Sequence, residues 1–403
     1  MITWIIEPRD PLIVRDGRPF GPDPGVRATS LEFPFPSTIA GGARNRYGLG
    51  DGGLFVDSDE NIVRVLELSV HGPLLVELPQ DDKHDDKLVW YGPAPADALL
   101  TDVGEQVQVL AVEPTTMPEG SSSNRPTDLL PIGARDHFPA KLSVDPPRFW
   151  RWSHLEDWLR LRERVVWLAD DARVVPSKLG VGRLPRDRRM HVSIQPDHQT
   201  ALDGALFQTS GLSFTLPERR RFALALRTSA DFPRFGGGFA PLAGERRVVA
   251  WRRDTKVFPE CPLDLAKQIA EDGACRVLLI TPAIFSAGYR PALDGPLLRG
   301  GNGLTVSLRA AALPRPQVVS GWDVAANGFA GSPKPTRRLA PAGAVYYLSF
   351  VGAPDAIEDW VKAHWMQPAS DRPEDGADGF GLAVFGVWPG AAQALKGASD
   401  AEQ

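Results

Sequence analysis

The stretch Phe33–Gly48, FPFPSTIAGGARNRYG, constrains this chain more than any other. Prolines 34 and 36 stop a helix from running into it and hold the approach extended, because proline lacks a backbone donor and disfavours helical geometry in the residue before it. Ser37 or Thr38 is then placed to cap a short helix, and Gly48 to end it. Ile39, Ala43 and Tyr47 recur every four residues and predict one apolar face, with Arg44 and Arg46 on the other. Gly41 and Gly42 fall mid-helix, where each costs about 1 kcal/mol relative to alanine. Close approach of another backbone offsets that cost, the neighbour being a ligand or a strand of the same protein. Just upstream, RDGRPF (Arg15–Phe20) reads as a strand ending in an arginine-bearing turn.

The chain around this stretch reads as strands and helices in alternation. Thr3–Glu7 is β-rich, and Leu12–Val14 extends it toward the turn. Arg64–Leu78 alternates and reads as a strand pair broken at Gly72-Pro73. DDKHDD (Asp81–Asp86) is a charged turn, Lys87–Tyr91 a strand, and Val107–Val112 another. Strand, helix, strand, strand is the order an α+β sandwich of the ferredoxin type needs. Met117–Thr127 reads as a loop within an insertion. Ser153-His154-Leu155-Glu156 fits a capping box opening a helix to about Ala169. Leu179–Gln208 has strand-like ends and a polar middle with four arginines, which predicts a projecting hairpin.

The pattern then restarts. Arg221–Thr228 is a strand, Gly236–Arg247 a glycine-rich loop feeding strand Val248–Trp251, and Pro262–Asp272 a helix closed by Gly273. Val277–Thr281 and Val345–Val351 are strands, Asp355–Met366 is an amphipathic helix, and GFGLAVFGVW closes the fold, with a frayed tail from Ala391. Two α+β sandwiches in tandem result, with domains at 1–212 and 213–403. A chain of 403 residues accommodates two domains.

Chemistry is sparse. GLGDGG (Gly48–Gly53) fits GxGxxG but follows a helix rather than a strand, so it is no dinucleotide fingerprint, and there is no P-loop. The seven histidines lack metal-ligand spacing, and Asp136-His137 reads as a capped turn. No nucleophile comes with a base. Cys261 and Cys275 form no framework, which fits a reducing compartment. The N-terminus has no signal-peptide pattern, and no segment is long and apolar enough to span a membrane. What stands out is arginine beside glycine and hydroxyl residues: Arg15 and Arg18, Arg44 and Arg46, Arg246 and Arg247. Glycine amides, a helix N-terminus and guanidinium forks all hold phosphates, a set that suits single-stranded RNA. The alternative is that these arginines pair with the 50 acidic residues on a solvated surface. With a net charge of −5, any RNA contact must be a local patch.

RDGRPF followed by FPFPSTIAGGAR resembles the N-terminal signature of the third subunit of the Cmr complex, the type III-B CRISPR effector, within the repeat-associated mysterious protein (RAMP) superfamily. Met190–Gln208 (MHVSIQPDHQTALDGALFQ), the glycine loop with GERR, and Gly379–Gly386 (GFGLAVFG) are similar to later motifs of that family, in the same order. The resemblance implies two ferredoxin-like, RNA-recognition-type domains without catalytic role or cofactor. It also implies a cytoplasmic antiviral complex in which the chain holds the 5′ handle of CRISPR RNA beside the large polymerase-like subunit and the backbone RAMP subunits. Carried over by motif, Arg15, Arg18, Ser37, Thr38 and Arg44 line the handle pocket, with Arg46 and Arg246 as further RNA contacts. His191 and its hairpin lie along the RNA or splay its bases, and Gly379 and Gly381 let the backbone approach it. The aromatic signature of RNA-recognition motifs is missing, so the stacking partner is open. Two other readings remain: a metal-independent repeat-cleaving endoribonuclease using His191, and a module assisting nucleotide binding at the interface with the large subunit.

Overall fold

The computed structural model describes residues 1–15, 27–28, 30–79, 88–117, 120–122, 128–134, 141–160, 173–233, 236–255, 257–301, 303–323, 326 and 331–394. Its strands are β1 (Ile2–Pro8), β2 (Arg27–Ala28), β3 (Val70–Glu77), β4 (Val89–Pro93), β5 (Ala98–Val103), β6 (Gln106–Thr116), β7 (Ile132–Ala134), β8 (Phe149–Arg151), β9 (Arg173–Val174), β10 (Gly180–Val181) and β11 (Arg186–Gln195). They continue with β12 (Thr200–Leu212), β13 (Phe222–Thr228), β14 (Gly238–Leu242), β15 (Arg247–Asp254), β16 (Ala274–Leu279), β17 (Thr305–Ala312), β18 (Gln317–Asp323), β19 (Ser332–Leu339), β20 (Val345–Val351), β21 (Ala383–Val387) and β22 (Gln393–Ala394). The helices are α1 (Pro36–Tyr47), α2 (Asp59–Leu66), α3 (Trp152–Arg160), α4 (Pro176–Leu179), α5 (Leu263–Asp272), α6 (Pro354–His364) and α7 (Pro373–Ala377).

These elements make a mixed α/β fold with several antiparallel sheets. The largest has the order β10-β8-β4-β3-β13-β1-β15-β14, and a second has the order β17-β20-β16-β21. The two-residue period of β1 decides how the first sheet is covered. Trp4 and Ile6 point into a cluster shared with Ile39, Ala40 and Ala43 of α1. Ile5 points the other way, into the large cluster that also holds the second sheet, α3, α5 and α6. Both faces of the first sheet are therefore buried, and β1 is a central strand.

Several expectations change. Strands β13 and β15, placed by the sequence in the second half, pair directly with β1, for example Ile5 with Ala225 and with Arg252. A boundary at 212 would cut the first sheet, and the chain leaves it only after Asp254. Arg64–Leu78 is not a strand pair. Its first residues end α2, which Ser58 caps by accepting a hydrogen bond from Asn61 N at 3.3 Å, and β3 runs unbroken through Gly72-Pro73. Leu12–Val14 forms isolated bridges rather than a strand, Leu12 to Leu212 and Ile13 to Gly244. α3 opens at Trp152, one residue before the expected cap. Gln393 and Ala394 pair with Thr115 and Thr116 instead of fraying. Asp16–Phe20 with Arg18, DDKHDD, Asp136-His137, the helix beyond Arg160 and most of Met117–Thr127 lie outside the described residues. The long hairpin is present as β11–β12, and α5 closes on Gly273 in the left-handed conformation.

A buried polar node ties the layers together. Arg276 on β16 donates from Nη1 to Asp97 Oδ2 at 2.6 Å and from Nη2 to the carbonyl of Trp158, with both charged side chains almost wholly buried. Trp158 Nε1 donates to Asp97 Oδ1 at 3.0 Å, and Tyr347 Oη donates to the Val112 carbonyl at 2.9 Å.

His71 on β3 is also buried, beside Arg227 in register on β13. Burial, then the Arg227 charge and the N-terminal ammonium, lower its pKa from 6.5 to about 4. Between those values the unfolded chain binds the proton and the folded one does not, so stability rises with pH across that window. Stability present above pH 6.5 is expected to fall by on the order of 2–3 kcal/mol as pH drops toward 4. Urea titrations of wild type and His71→Leu across that range check this, since the leucine variant should lack that part of the slope.

Candidate functional site

Helix α1 starts one turn position earlier than its hydroxyls suggest. Phe35 is the N-cap, without a side-chain bond, and Pro36 takes the first helical position, where its missing N–H costs nothing. Ser37 and Thr38 are therefore freed from capping and sit half-buried in the first turn, on the wall of a cleft of about 630 Å³. The opposite wall is the two-stranded ribbon β18–β19, with Trp322 and Lys334 on it, and Asp378 and Phe380 line the cleft as well. The Trp322 indole is 57% exposed and lies against Gly331, where a Cβ would collide with its Nε1.

Charge in the cleft is held rather than loose. Arg44 donates from Nη1 to Asp378 Oδ1 and from Nη2 to the Leu68 carbonyl at 3.2 Å. Arg337 Nη1 spans both Asp375 oxygens at 2.8 Å. Burial pushes the Asp375 carboxyl above its usual range, and the Arg337 bond works against that shift. A Cβ on Gly41 would have nothing within 4 Å, and the residue opens onto the cleft. Gly42 faces the sheet, where a Cβ would meet Leu242 Cδ1 at 2.5 Å and Trp251 at 3.3 Å. Only one of the two glycines is thus explained by a neighbouring strand. A second cavity of about 690 Å³ opens on the other side of Phe35 and Pro36, between the first sheet and the Ile280–Pro282 segment, with Arg148, Arg183 and Arg315 around it.

Residues 4–388 match the sequence profile of the CRISPR-associated protein family Cas_Cmr3. The chain belongs to this family. Among solved structures it is similar to a chain in the cryo-EM structure of a type III-B Cmr-beta complex bound to cognate target RNA, at 13% identity and TM-score 0.44 over 86% of each chain. The same values hold for that complex bound to cognate target RNA and AMPPnP. No curated protein matches the chain.

In this Cas_Cmr3 chain the residues singled out from sequence fall into separate groups. Ser37, Thr38 and Arg44 share the cleft. Arg15, exposed, bridges to Ser30, whose hydroxyl bonds the Ser210 carbonyl on β12. His191 on β11 has its Nε2 2.9 Å from Thr209 Oγ1 on β12, and its ring stacks on Phe207 of that strand at 5.2 Å. Arg15 thus connects through Ser30 to the base of the β11–β12 hairpin and His191 lies midway along it, and neither lines the cleft. Arg246 is exposed in the β14–β15 turn. Arg46 faces away from the cleft, donating from Nε to the Gly236 carbonyl at 2.9 Å and from Nη2 to that of Gly237 at 3.0 Å. Burial lowers its pKa.

Gly379 and Gly381 also have a different neighbour from the one expected. Both are left-handed, with φ of 92° and 87°. A Cβ on Gly379 would meet the carbonyls of Val70 and Gly72 at 2.6 and 2.7 Å, and one on Gly381 the Ser370 nitrogen at 2.7 Å. The close approach they permit in this structure is to the chain's own backbone. Sequence reasoning missed Trp322, Lys334 and Arg337. The signal was present in SPKPTRR, where basic residues interrupt two prolines, but a strand with prolines at 333 and 335 does not read as one.

Proposed function

We propose that this chain is the third subunit of a type III-B CRISPR effector, a cytoplasmic RAMP-superfamily protein without catalytic role. It holds the 5′ repeat-derived handle of CRISPR RNA and docks on the large polymerase-like subunit and the backbone RAMP subunits. The observation that carries this reading is the cleft between α1 and the β18–β19 ribbon. It offers a largely exposed indole for base stacking, hydroxyls on a helix first turn, and a lysine beside two anchored guanidinium groups. Stacking plus backbone neutralisation is how single strands are held. Outside the cleft, Arg15, Arg18, Arg46, His191 and Arg246 remain proposed contributors, with Arg15 and His191 serving a second stretch of RNA along the hairpin, whereas Gly379 and Gly381 serve the chain's own packing.

Strand order supports the ferredoxin-like part of the proposal. Counting strands of the second sheet in chain order, β17-β20-β16-β21 reads 2-3-1-4, with α6 between the third and fourth. The core of the first sheet, β3-β13-β1-β15, also reads 2-3-1-4, with α1 between the first and second. Two tandem ferredoxin-like halves then meet between Asp254 and Leu263, with the hairpin and the β5–β6 sheet as insertions.

Titration of a labelled handle RNA at several salt concentrations tests the reading. Trp322→Ala should weaken binding by about 1–3 kcal/mol, roughly 5- to 150-fold, with the salt slope unchanged. Arg15→Ala should instead lower the slope by about 0.7. Binding unchanged in both variants would sink the proposal. Metal-free cleavage of a repeat RNA that disappears in His191→Ala would replace it with the endoribonuclease reading.

A further inference from the structure

The GLGDGG segment has no part in the cleft chemistry, yet it is carefully built. Gly50 N donates to the Leu54 carbonyl at 2.9 Å, Gly53 N to Gly50 O at 2.9 Å, and Val56 N to Gly48 O at 3.1 Å. Asn61, 6% exposed on α2, fastens both ends of the turn, donating from Nδ2 to Gly48 O at 3.0 Å and to Val56 O at 2.8 Å. The Phe55 ring, on the cleft side of the turn, packs against Gly48 in the space a Cβ there would need. This scaffold holds Leu54 outward, 78% exposed, and Val56 at 44% and Val63 of α2 at 50% are exposed as well. Apolar side chains presented to water on a pinned turn mark an interaction site, because rigid anchors lose little entropy on binding.

The charges around them choose the partner. Asp51, Asp57, Asp59, Glu60 and Glu67 are all exposed on the same turn and helix, and none enters an ion pair among the described residues. The cation of α2, Arg64, is engaged by Asn61 Oδ1 at 2.7 Å and lies over the Tyr47 ring at 4.6 Å. Five carboxylates repel a phosphate backbone, and in a two-fold contact between copies they would face one another. We infer that the GLGDGG turn and the outer face of α2 form a protein-docking surface, whose partner carries an apolar recess rimmed by lysine and arginine. This rests on the reading of the chain as an effector subunit, and concerns its protein contacts rather than its RNA.

The test uses the full chain and the other protein subunits of the effector, each purified, with pairwise affinity measured alongside affinity for the handle RNA. Leu54→Asp and Val63→Asp should each weaken binding to one protein subunit at least tenfold, with RNA affinity kept within twofold and the unfolding midpoint unchanged. Leu54→Met should retain binding, and Asp59→Lys with Glu60→Lys should weaken it and flatten its salt dependence. Affinity for every protein subunit within twofold of wild type in both aspartate variants would overturn the inference. So would a loss confined to RNA. Failure of the wild-type chain to bind handle RNA, with the protein contact still lost in Leu54→Asp, would discard the RNA reading and leave this one standing.

Discussion

Asp97→Ala is expected to lower the stability of the chain by about 3–5 kcal/mol, because it leaves a buried guanidinium without its counter-charge. Arg276 is 1% exposed and has Asp97 as its ion-pair partner, and the same carboxylate accepts from Trp158 Nε1. Water cannot replace it without opening the contact between the second sheet and α3. The double variant Asp97→Ala with Arg276→Met should recover a large part of the loss, since a matched apolar replacement of a buried pair is often close to neutral. Urea unfolding with an unchanged denaturant slope measures both. A loss under about 1 kcal/mol in the single variant would show that the node is not the anchor described.

The second large effect belongs to the glycines. Gly379→Val should cost about 2–6 kcal/mol, adding the strain of a β-branched residue at positive φ to overpacking against two carbonyl oxygens that cannot move. Gly42→Val should be costly through overpacking alone, about 1–3 kcal/mol, since Leu242 must shift. Gly41→Val, one residue away, should leave stability within about 0.5 kcal/mol, yet it places two methyl groups on the cleft wall and should weaken handle RNA binding. Chemical unfolding and RNA titration of the three variants separate these outcomes. A Gly41→Val chain as unstable as Gly42→Val would contradict the assigned faces.

Much of the fold was legible where an element carries its own period. The alternation of TWIIE, the apolar run of Phe222–Thr228 and the helix closed by Gly273 each needed no partner to be read. The Arg64–Leu66 segment failed because VRVLEL fits both periods, and only Ser58 and Asn61 resolve it toward a helix. Which sheet a strand joins was not legible at all. Nothing local to Ala225 or Arg252 says that both will lie beside Ile5, because that depends on pairings more than 200 residues long. The same holds for Asp97 and Arg276, 179 residues apart. Of the candidate site, the α1 wall was readable from its prolines and hydroxyls. The ribbon wall with Trp322 was not, since its basic, proline-bearing strand lacks the usual composition.

The central place of β1 has a consequence for how the protein is made. Its two neighbours, β13 and β15, emerge from the ribosome more than 200 residues after it. At about 5–20 residues per second, Trp4, Ile5 and Ile6 wait on the order of 10–45 seconds with both strand edges open. During that time the most apolar segment of the N-terminus can pack on α1 but has no native strand partner within the nascent chain. The edges of β1 are thus the last part of the first sheet to close, so its completion waits on the middle of the chain rather than on the N-terminus.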